Sequence, residues 1–381
     1  MVKGAQLPKN KASKRLKTMP CSPKIVGIGL VALDLVWSVD RPDVEFFAGG
    51  TCGNVLAILA YLGWKAIPVS RIDDDIAGKL VRDDLGRWGT DSKFLSLRPP
   101  AKTPVIVEKI RSDRNGIPFH TFSFYCPSCS RRFPGFQPVT ANAIDSAKQA
   151  IAEADVLFID RVSKSSVILA EAASSKGVTV VFEPAGVKES KSFSYLLETA
   201  DVVKYSHDRI DELPRSCSQK GRLDIQTLGR GGLRFRGPGE VNWQHLQAEP
   251  MERLVDAAGS GDWLTAGFLY ALHRNRSHVR KNLKREDLVR ALTVGQKLAA
   301  WNCSFRGARG GMYSDSKSRI AEIISESLAL TSGQRVPIRE QNDEPKAAKD
   351  ICLDCCGSGV GSVRSTSVKA VTAVWRTASV E

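Results

Sequence analysis

The sequence predicts an α/β protein with a mostly parallel central sheet. From Lys24 onward, short β-branched runs alternate with longer amphipathic stretches, which is the pattern of repeated βα units. The chain has 381 residues, 42% hydrophobic and 25% charged, so it can form one large core or two domains. Asp34 interrupts the apolar run from Ile25 to Leu33 before it reaches the roughly 20 residues that a membrane-spanning helix requires. These observations argue against a disordered chain, a coiled coil and a membrane span.

The local hydrophobic period predicts each element. Runs rich in β-branched residues predict strands at Ile25–Ala32, Val105–Ile110, Val156–Asp160, Val178–Glu183, Asp201–Tyr205 and Leu223–Leu228. A helical period predicts helices at Asn54–Leu62, Ile76–Trp88, Ala143–Glu153, Ser165–Ser175, Asp262–His273, Arg285–Asn302 and Ser316–Leu328. Residues 34–47 and 101–125 alternate like strands, with no helix after the first of them, and are expected to form a small extra sheet.

Positive charge is concentrated at the start of the chain. Residues 1–24 contain seven lysines and arginines and no acid, which is half of the net charge of +14. We therefore expect residues 1–23 to be a basic, flexible leader, with an organelle-targeting segment or a nucleic-acid-binding arm as weaker alternatives. After Leu330 the sequence turns polar and rich in glycine and serine, so residues 331–381 are expected to form a low-complexity, disordered tail. Residues 24–330 remain as one domain, with no membrane or nucleic-acid partner expected.

The segment Asp256-Ala-Ala-Gly-Ser-Gly-Asp262 carries the most chemical information. It precedes an apolar helical run, so Gly259, Ser260 and Gly261 lie at a loop-to-helix junction. Backbone N–H groups at the start of a helix, together with the helix dipole, favour a phosphate or an oxyanion. Asp262, in the first turn, can accept a proton from a hydroxyl that attacks phosphorus. The alternative is an ordinary N-cap aspartate after a glycine-rich loop.

A second segment, Ala48-Gly-Gly-Thr-Cys-Gly-Asn54, opens an earlier helix. The pair Gly49-Gly50 lets the backbone approach a polyhydroxyl ligand closely, and Asn54 offers both a donor and an acceptor. Asp34, at the end of the first strand, offers two acceptor oxygens. Each of these residues also has a simpler explanation, turn glycines for the pair and a helix cap for Asn54.

A third segment, Thr227-Leu-Gly-Arg-Gly-Gly232, runs from a strand into a glycine turn. Such a loop can pass under the phosphates of a nucleotide, and a hairpin turn explains it equally well.

Taken together and in this order, the three segments resemble the ribokinase/PfkB family of sugar and nucleoside kinases over nearly all of residues 24–330. Asp256–Asp262 is similar to the C-terminal signature of that family, Gly49-Gly50…Asn54 to its N-terminal signature, and Thr227–Gly232 to its nucleotide loop. The resemblance implies a ribokinase-like fold in which residues 34–47 and 101–125 form a β-lid. It also implies ATP-dependent phosphorylation of a hydroxyl of a sugar or nucleoside.

The resemblance assigns a role to each candidate residue. Asp262 would be the general base, and Gly259, Ser260 and Gly261 the anion hole. Asp34, Gly49, Gly50 and Asn54 would hold the sugar. Thr227, Gly229 and Gly232 would line the nucleotide phosphates, with the segment from Asn302 to Ala308 near the adenine. The cofactors implied are ATP and Mg²⁺, with a monovalent cation also compatible, and the lid is expected to support a homodimer.

Two positions depart from the family pattern. Arg209 stands where the family usually has a glutamate that helps to organise magnesium, although Ser206 fits and Asp208, Asp211 and Glu212 are close in sequence. Glu183-Pro184-Ala185 stands where Asp-Pro-Asn is commoner. The metal ligands therefore stay open. These departures also motivate an alternative function, a catalytically degenerate sugar or nucleotide sensor on the same fold.

Other signals in the sequence point to different classes of protein. Gly27-Ile-Gly29-Leu-Val-Ala32 imitates a dinucleotide-binding fingerprint, but its glycines lie inside an apolar run instead of opening a helix. There is no Walker-A lysine motif. The five histidines, at positions 120, 207, 245, 273 and 278, have no metal-binding spacing and are interpreted as solvated or structural.

The nine cysteines lack a disulfide rhythm and indicate a reducing compartment, so we expect a cytoplasmic protein. Cys126-Pro-Ser-Cys129 has the form of half a zinc site, and Cys352-Leu-Asp-Cys355-Cys356 could be the other half. More than two hundred residues separate the two groups, so free thiols are the expected state. A redox pair at Cys126 and Cys129 is a further alternative.

Overall fold

The computed structural model of the chain describes residues 22–38, 41–95, 102–140, 143–188, 190–214, 221–274, 283–329 and 338–340. The predicted leader, apart from its last two residues, and nearly all of the predicted tail lie outside the described residues. Residues up to Arg339 belong to one compact unit, and a second unit begins at Glu340. No described helix is long and apolar enough to cross a membrane.

The predicted α/β architecture is confirmed. The strands are β1 (Lys24–Ile28), β2 (Ala32–Ser38), β3 (Arg41–Gly49), β4 (Lys65–Val69), β5 (Val105–Ser112), β6 (Pro118–Ser123), β7 (Val156–Ile159), β8 (Thr179–Phe182), β9 (Val202–Ser206), β10 (Leu223–Thr227), β11 (Leu233–Arg236), β12 (Gln244–Leu246) and β13 (Ile338–Glu340). The helices are α1 (Thr51–Tyr61), α2 (Ile76–Arg87), α3 (Ile144–Ala152), α4 (Lys164–Ser175), α5 (Lys191–Thr199), α6 (Ser260–Arg274), α7 (Arg285–Asn302), α8 (Gly310–Ser314) and α9 (Lys317–Ala329).

The central sheet has nine strands in the order β13-β12-β11-β10-β9-β8-β7-β1-β4. The pairs from β10 to β4 are all parallel, whereas β10–β11 and β11–β12 are antiparallel. Two apolar clusters lie on opposite faces of this sheet. One includes residues of α1, α6, α7 and α9, and the other includes residues of α3, α4 and α5. The strands are buried on both faces because helices cover both of them, which explains their continuous β-branched runs.

Two predicted elements differ from the observed ones at the start of the domain. The single strand predicted at Ile25–Ala32 is wrong, because β1 ends at Ile28 and β2 begins at Ala32 in a different sheet. The break is held in place by Asp160, whose Oδ1 accepts the N–H of Leu30 at 2.9 Å. A Cβ on Gly29 would lie 1.5 Å from the same oxygen, so only glycine allows this turn. The dinucleotide-like glycines are therefore packing residues, and no helix follows them.

The strand β4 and the helix α5 were not expected from the sequence. Pro68 interrupts the short run that becomes β4, and a proline normally argues against a strand. It is tolerated because β4 is the edge strand of the central sheet, where one side of the backbone needs no partner. Helix α5 has a polar sequence and begins after Ser190, whose side chain accepts the N–H of Phe193.

The second sheet has four strands in the order β3-β2-β5-β6 and is formed by the two stretches that break the βα rhythm. Its register places Asp34, Glu108 and His120 on one face and Val44, Phe46 and Phe119 on the other. We call these the inner and the outer face. The inner face is adjacent to the loop that precedes α6, since His120 contacts Asp256.

Helices α6 and α7 pack closely at a pair of glycines. A Cβ on Gly267 would lie 2.8 Å from the Cα of Gly295, and a Cβ on Gly295 would lie 2.5 Å from the carbonyl oxygen of Leu264. Because α6 begins at the most informative segment of the sequence, this contact fixes the position of that segment relative to the core.

We expect Gly295→Ala to lower the free energy of unfolding by about 1–3 kcal/mol, because the added methyl group overpacks the α6–α7 contact. The matched control is Gly86→Ala, in helix α2, where a Cβ would meet no atom within 4 Å. Gly86→Ala should be neutral or stabilising because alanine is the better helix former. Urea unfolding of both variants measures the difference, and equal stabilities would contradict this explanation.

Candidate functional site

Charged residues of three neighbouring strands come together at one edge of the central sheet. Asp160 directly follows β7, Glu183 directly follows β8, and Lys204 lies in β9. The carboxyl ends of parallel strands meet at the same edge, where α/β proteins bind their ligands. Helices α1 and α6 begin at this edge as well, because the side chain of Asn54 contacts that of Asp262.

The contact between Asn54 and Asp262 lies at the centre of the site. Nδ2 of Asn54 donates to Oδ2 of Asp262 at 2.7 Å, and both side chains are buried. Oδ1 of Asn54 accepts from Nε of Arg309 at 3.0 Å. Arg309 is itself fixed by an ion pair of 2.8 Å with Asp84 and by a hydrogen bond to the carbonyl of Ala48. The amide of Asn54 therefore has one orientation, with its donor group directed at Asp262.

Burial raises the pKa of Asp262 to about 7, and the nearby carboxylate of Glu183 acts in the same direction. The Lys204 ammonium, the hydrogen bond from Asn54 and, more weakly, Arg209 oppose this rise. Lys204 and Glu183 form a buried ion pair, and Thr265 donates to Oε2 of Glu183 at 2.9 Å. Asp262 is thus a carboxyl group that exchanges its proton near neutral pH.

The glycine-rich loop before α6 is tightly constrained. Gly259 has a φ of +70°, and a Cβ there would lie 2.1 Å from the carbonyl oxygen of Ala308. Helix α6 begins at Ser260, so Gly261 and Asp262 lie in its first turn. The N–H of Ser260 donates to Ala257 at 3.2 Å. The first turn of a helix carries N–H groups without intrahelical acceptors and a positive dipole end, so the segment from Gly259 to Gly261 can bind an anion.

Hydrogen bonds to Asp256 fix the conformation of this loop. Its Oδ1 accepts from the N–H of Ala258 at 2.9 Å, and its Oδ2 accepts from the N–H of Gly307 at 2.8 Å. Burial alone would raise the pKa of Asp256, but hydrogen bonds from His120 and Glu108 bring it below its ordinary value. This carboxylate therefore joins the loop before α6 to the loop after α7.

The inner face of the second sheet reaches the same carboxylate. Nδ1 of His120 lies 3.1 Å from Oδ1 of Asp256, and ligand atoms of Glu108, His120 and Asp256 all lie within 4.8 Å of one another. Burial, followed by the charge of Asp256 and a hydrogen bond with it, raises the pKa of Glu108 well above its ordinary value. His120, which the sequence predicts to be solvated or structural, joins the inner face of the second sheet to the loop before α6.

The residues predicted to hold a sugar lie together. A Cβ on Gly49 would lie 1.8 Å from Oδ2 of Asp34, so only glycine allows this carboxylate to approach the backbone. Gly50 has a φ of +79° and precedes α1 as its N-cap residue. Its N–H donates to Asp34, whose Oδ1 is buried without a partner among the described residues. Burial raises the pKa of Asp34 to about 7, against the opposing charge of Arg309.

The segment from Thr227 to Gly232 forms a tight turn between two antiparallel strands. Thr227 ends β10, Gly229–Gly231 is a single 3₁₀ turn, and β11 begins at Leu233. Gly232 has a φ of +90°, and a Cβ there would lie 2.2 Å from the carbonyl oxygen of Leu246. The hairpin that the sequence allowed is therefore present, and its glycines are required by the turn.

Asn302 is less suited to contact a ligand than the sequence suggests. Its Nδ2 donates to the carbonyl of Ala308 at 3.2 Å, and its Oδ1 accepts from the N–H of Gly311 at 3.1 Å. The side chain is fully buried. Asn302 thus closes the loop that carries Ala308, and that loop in turn packs against Gly259.

Several functional residues were missed by the sequence analysis. Arg309 and Lys204 lie in ordinary-looking segments, and neither has a motif of its own. Their roles come from contacts across the chain, between Arg309 and Asn54 and between Lys204 and Glu183. The sequence signal closest to Arg309 is its place in Arg306-Gly-Ala-Arg-Gly-Gly311, a glycine-rich loop between two helices.

Comparisons with known proteins give a family match and a matching fold. A family model described as "pfkB family carbohydrate kinase" matches residues 22–314. The chain is 25% identical over 320 residues to an ATP-dependent ribose-1-phosphate kinase from Halopiger xanaduensis, and this match covers 80% of the chain and 98% of the relative. It is 22% identical over 294 residues to "Probable fructokinase-4" from Arabidopsis thaliana, covering 70% of the chain and 87% of the relative. The solved structure of a fructokinase with bound ATP from Xylella fastidiosa shares the fold, with a TM-score of 0.63 at 18% identity, covering 80% of this chain and 99% of that one.

The buried charge of Asp34 has a consequence for stability. Its pKa is about 7 in the folded protein and about 3.8 in a model peptide, so its contribution to stability is fully present below about pH 3.8 and is lost as the pH rises through about 7. We expect the stability of Asp34→Asn relative to the wild type to be greater at pH 8 than at pH 5, by roughly 1–3 kcal/mol.

Urea unfolding at the two pH values measures this difference. The matched control is Asp83→Asn, because Asp83 is exposed on α2. Its effect should be the same at both pH values. If the difference in unfolding free energy between Asp34→Asn and the wild type is the same at both pH values, ionisation of Asp34 does not lower the stability of the folded protein.

Proposed function

The chain belongs to the pfkB family of carbohydrate kinases, and on that premise we propose that it transfers the γ-phosphoryl group of ATP to a hydroxyl of a sugar or nucleoside. Asp262 is the general base and the segment Gly259–Gly261 is the anion hole. The observation that carries this proposal is the buried contact between Asn54 and Asp262 beside that segment.

The environment of Asp262 suits a general base. A base is most effective when its pKa lies near the working pH, and burial together with Glu183 raises the pKa of Asp262 to about 7. Asn54 occupies one carboxylate oxygen, Oδ2, and fixes the plane of the group. The other oxygen then accepts the proton of the acceptor hydroxyl as its oxygen attacks the γ-phosphorus and the bond to ADP breaks.

The first turn of α6 stabilises the charge of the transferring phosphoryl group. The N–H of Ser260 already donates to Ala257, so the N–H groups of Gly259 and Gly261 and the positive end of the helix act together, with Lys204 next to Gly261. A Cβ on Gly261 would lie 3.3 Å from Nζ of Lys204, so this ammonium group lies close to the anion hole. Gly259 keeps the loop against Ala308 and allows no larger residue.

Asp34, Gly49, Gly50 and Asn54 hold the acceptor. The unpartnered Oδ1 of Asp34 is an acceptor for a hydroxyl hydrogen, and the two glycines let the backbone approach closely. Thr227, Gly229 and Gly232 line the nucleotide phosphates. Because the side chain of Asn302 is fully used within the protein, the segment from Asn302 to Ala308 would contact the nucleotide through its backbone and other side chains.

Magnesium enters this reaction as part of the substrate Mg-ATP. Glu183 is ion-paired with Lys204, and Arg209 replaces the family glutamate, so the described residues near the anion hole do not form a cage of carboxylates. This donor set fits a magnesium ion that the nucleotide phosphates and water hold for the most part, as is usual for this cation. The positive charge of Arg209 acts on Asp262, and it would also attract the nucleotide phosphates.

The second sheet serves as the lid of the site. Its inner face brings Glu108 and His120 to Asp256, and its closure would exclude water that competes as phosphoryl acceptor. We also propose that the lid supports a homodimer. The alternative function, a degenerate sensor, finds no support in the relatives named above, all of which are kinases.

We expect Asp262→Asn to lower kcat by about 10²–10⁴-fold, because the amide keeps the shape of the side chain but accepts no proton. The measurement is release of ADP from the purified protein with Mg-ATP across a panel of sugars and nucleosides. Asp83→Asn serves as the matched control and should retain full turnover. Acceptor-dependent turnover that survives in Asp262→Asn would refute the assignment of the base.

The pH dependence of the reaction gives a second test. Because Asp262 must be ionised and its pKa is about 7, kcat/KM should fall about tenfold per pH unit below that value and level off above it. Glu183→Gln removes a negative charge, so the fall in kcat/KM should occur at a lower pH than in the wild type. Lys204→Met removes a positive charge, so the fall should occur at a higher pH. If both variants shift the pH of this fall in the same direction, or leave it unchanged, the electrostatic explanation is contradicted.

A further inference from the structure

The turn from Tyr125 to Arg132, at the end of the second sheet, contains an organised pair of cysteines. The N–H of Cys126 donates to Arg131 at 2.8 Å, and Tyr125 and Arg132 form an isolated antiparallel bridge. The N–H of Ser130 donates to the carbonyl of Cys126 at 2.9 Å, which closes a tight turn around Cys-Pro-Ser-Cys. Neither cysteine is in a disulfide. Cys126 is half-buried and Cys129 is exposed.

The turn directs polar hydrogens at one sulfur atom. Sγ of Cys126 accepts hydrogen bonds from the backbone N–H groups of Ser128 and Cys129. Hydrogen bonds to a ligating sulfur hold thiolate ligands in place in metal sites. The spacing of two residues between the cysteines is that of one half of a structural zinc site, which takes four cysteine or histidine ligands in a tetrahedron.

The backbone after the second cysteine is strained. Ser130 has a φ of +56° and is the only non-glycine residue with a positive φ in the part of the chain that the structure describes. Such a conformation costs about 1–3 kcal/mol and persists where its surroundings require it. A positive φ directly after the second cysteine turns the chain back on itself, so the two thiols stay on the same side of the turn as the N–H groups that face Cys126.

The pair is only half of a site. Among the described residues, no third histidine, cysteine or carboxylate lies close enough to join Cys126 and Cys129 in a group of three. A zinc ion at this turn would therefore need ligands from another source. A second copy of the same turn, related by a twofold axis, would supply two more thiolates and complete a tetrahedral set.

The second sheet, which ends in this turn, exposes apolar side chains that a second copy would cover. Val44, Phe46, Phe119 and Tyr125 are between 40% and 53% exposed, and the first three share the outer face of the second sheet. Arg131 and Arg132 are exposed beside the thiols. Two copies would bring four arginines together, which is unfavourable unless an anionic group lies between them. A zinc ion with four thiolates carries a net negative charge and meets that condition.

We propose that Cys126 and Cys129 bind zinc together with the same two cysteines of a second copy of this chain, so that one Zn²⁺ ion joins two second sheets. Binding releases the thiol protons to solvent, four for each ion, and involves no oxidation. Neither cysteine is among the residues assigned above to phosphoryl transfer, so the zinc ion determines assembly and not the chemistry of that reaction.

The experiment measures zinc and molecular mass on the purified full chain. We expect one zinc for two chains by elemental analysis and a dimer by light scattering. Cys126→Ser and Cys129→Ser should each lose the zinc and raise the dimer dissociation constant roughly tenfold or more. Pro127→Ala, which keeps both thiols, is the matched control and should retain zinc and dimer. Melting curves and the binding of Mg-ATP show whether each variant is folded.

A gain-of-binding variant guards against a simple loss of folding. Ser130→Gly removes the strain of the positive φ without touching the thiols, so zinc should leave this variant more slowly in the presence of a chelator. Replacing zinc by Co²⁺ should give the intense visible absorption of a tetrahedral thiolate site.

Three outcomes would overturn the proposal. A zinc-free protein with a Cys126–Cys129 disulfide, seen as a mass two units lower than that of the dithiol, would identify a redox pair. Zinc in a monomer would exclude the bridge between copies. One zinc per chain that is lost in the triple variant Cys352→Ser/Cys355→Ser/Cys356→Ser would identify the tail as the source of the other ligands.

Discussion

The site depends on one buried chain of hydrogen bonds and charges, from Asp84 through Arg309 and Asn54 to Asp262. Asp84 lies in α2, Asn54 in α1 and Asp262 in α6, so the chain connects three helices. Removing any member would leave a buried partner unsatisfied, at a cost of about 1–3 kcal/mol or more for a charged group. The same contacts that hold the helices together also orient the carboxylate that we propose as the base. Stability and function therefore rest on the same atoms.

Burial of carboxyl groups at the site lowers the stability of the folded protein when these groups ionise. Asp34 and Asp262 have pKa values of about 7, and burial raises the pKa of Asp160 to about 6. Each raised pKa means that the folded protein loses stability as the pH rises and the group ionises. The neighbouring cations Arg309, Lys204 and Arg161 reduce this loss without removing it. Such uncompensated charge is typical of active sites, where groups must exchange protons near neutral pH.

Sequence reasoning works here where a residue's role is local. The segment from Asp256 to Asp262 marks itself by its glycines and by the apolar run after it, and the structure places it at the start of α6. It fails where the role depends on a distant partner. Arg309 is separated from Asn54 by 255 positions, and no local pattern indicates that they meet. Pro68 shows the opposite case, since a local rule against strands is overridden by the position of β4 at the edge of the sheet.

The second sheet has two chemically different faces because of its period of two. Alternate residues of β3, β5 and β6 point to opposite faces, so Glu108 and His120 face Asp256 while Val44, Phe46 and Phe119 face away from it. A shift of one residue in register would exchange the two faces, burying apolar groups beside Asp256 and exposing the polar ones. The contact of His120 with Asp256 on one face then fixes the register for the other face as well. Any assembly through the outer face would therefore keep the register that places His120 beside Asp256.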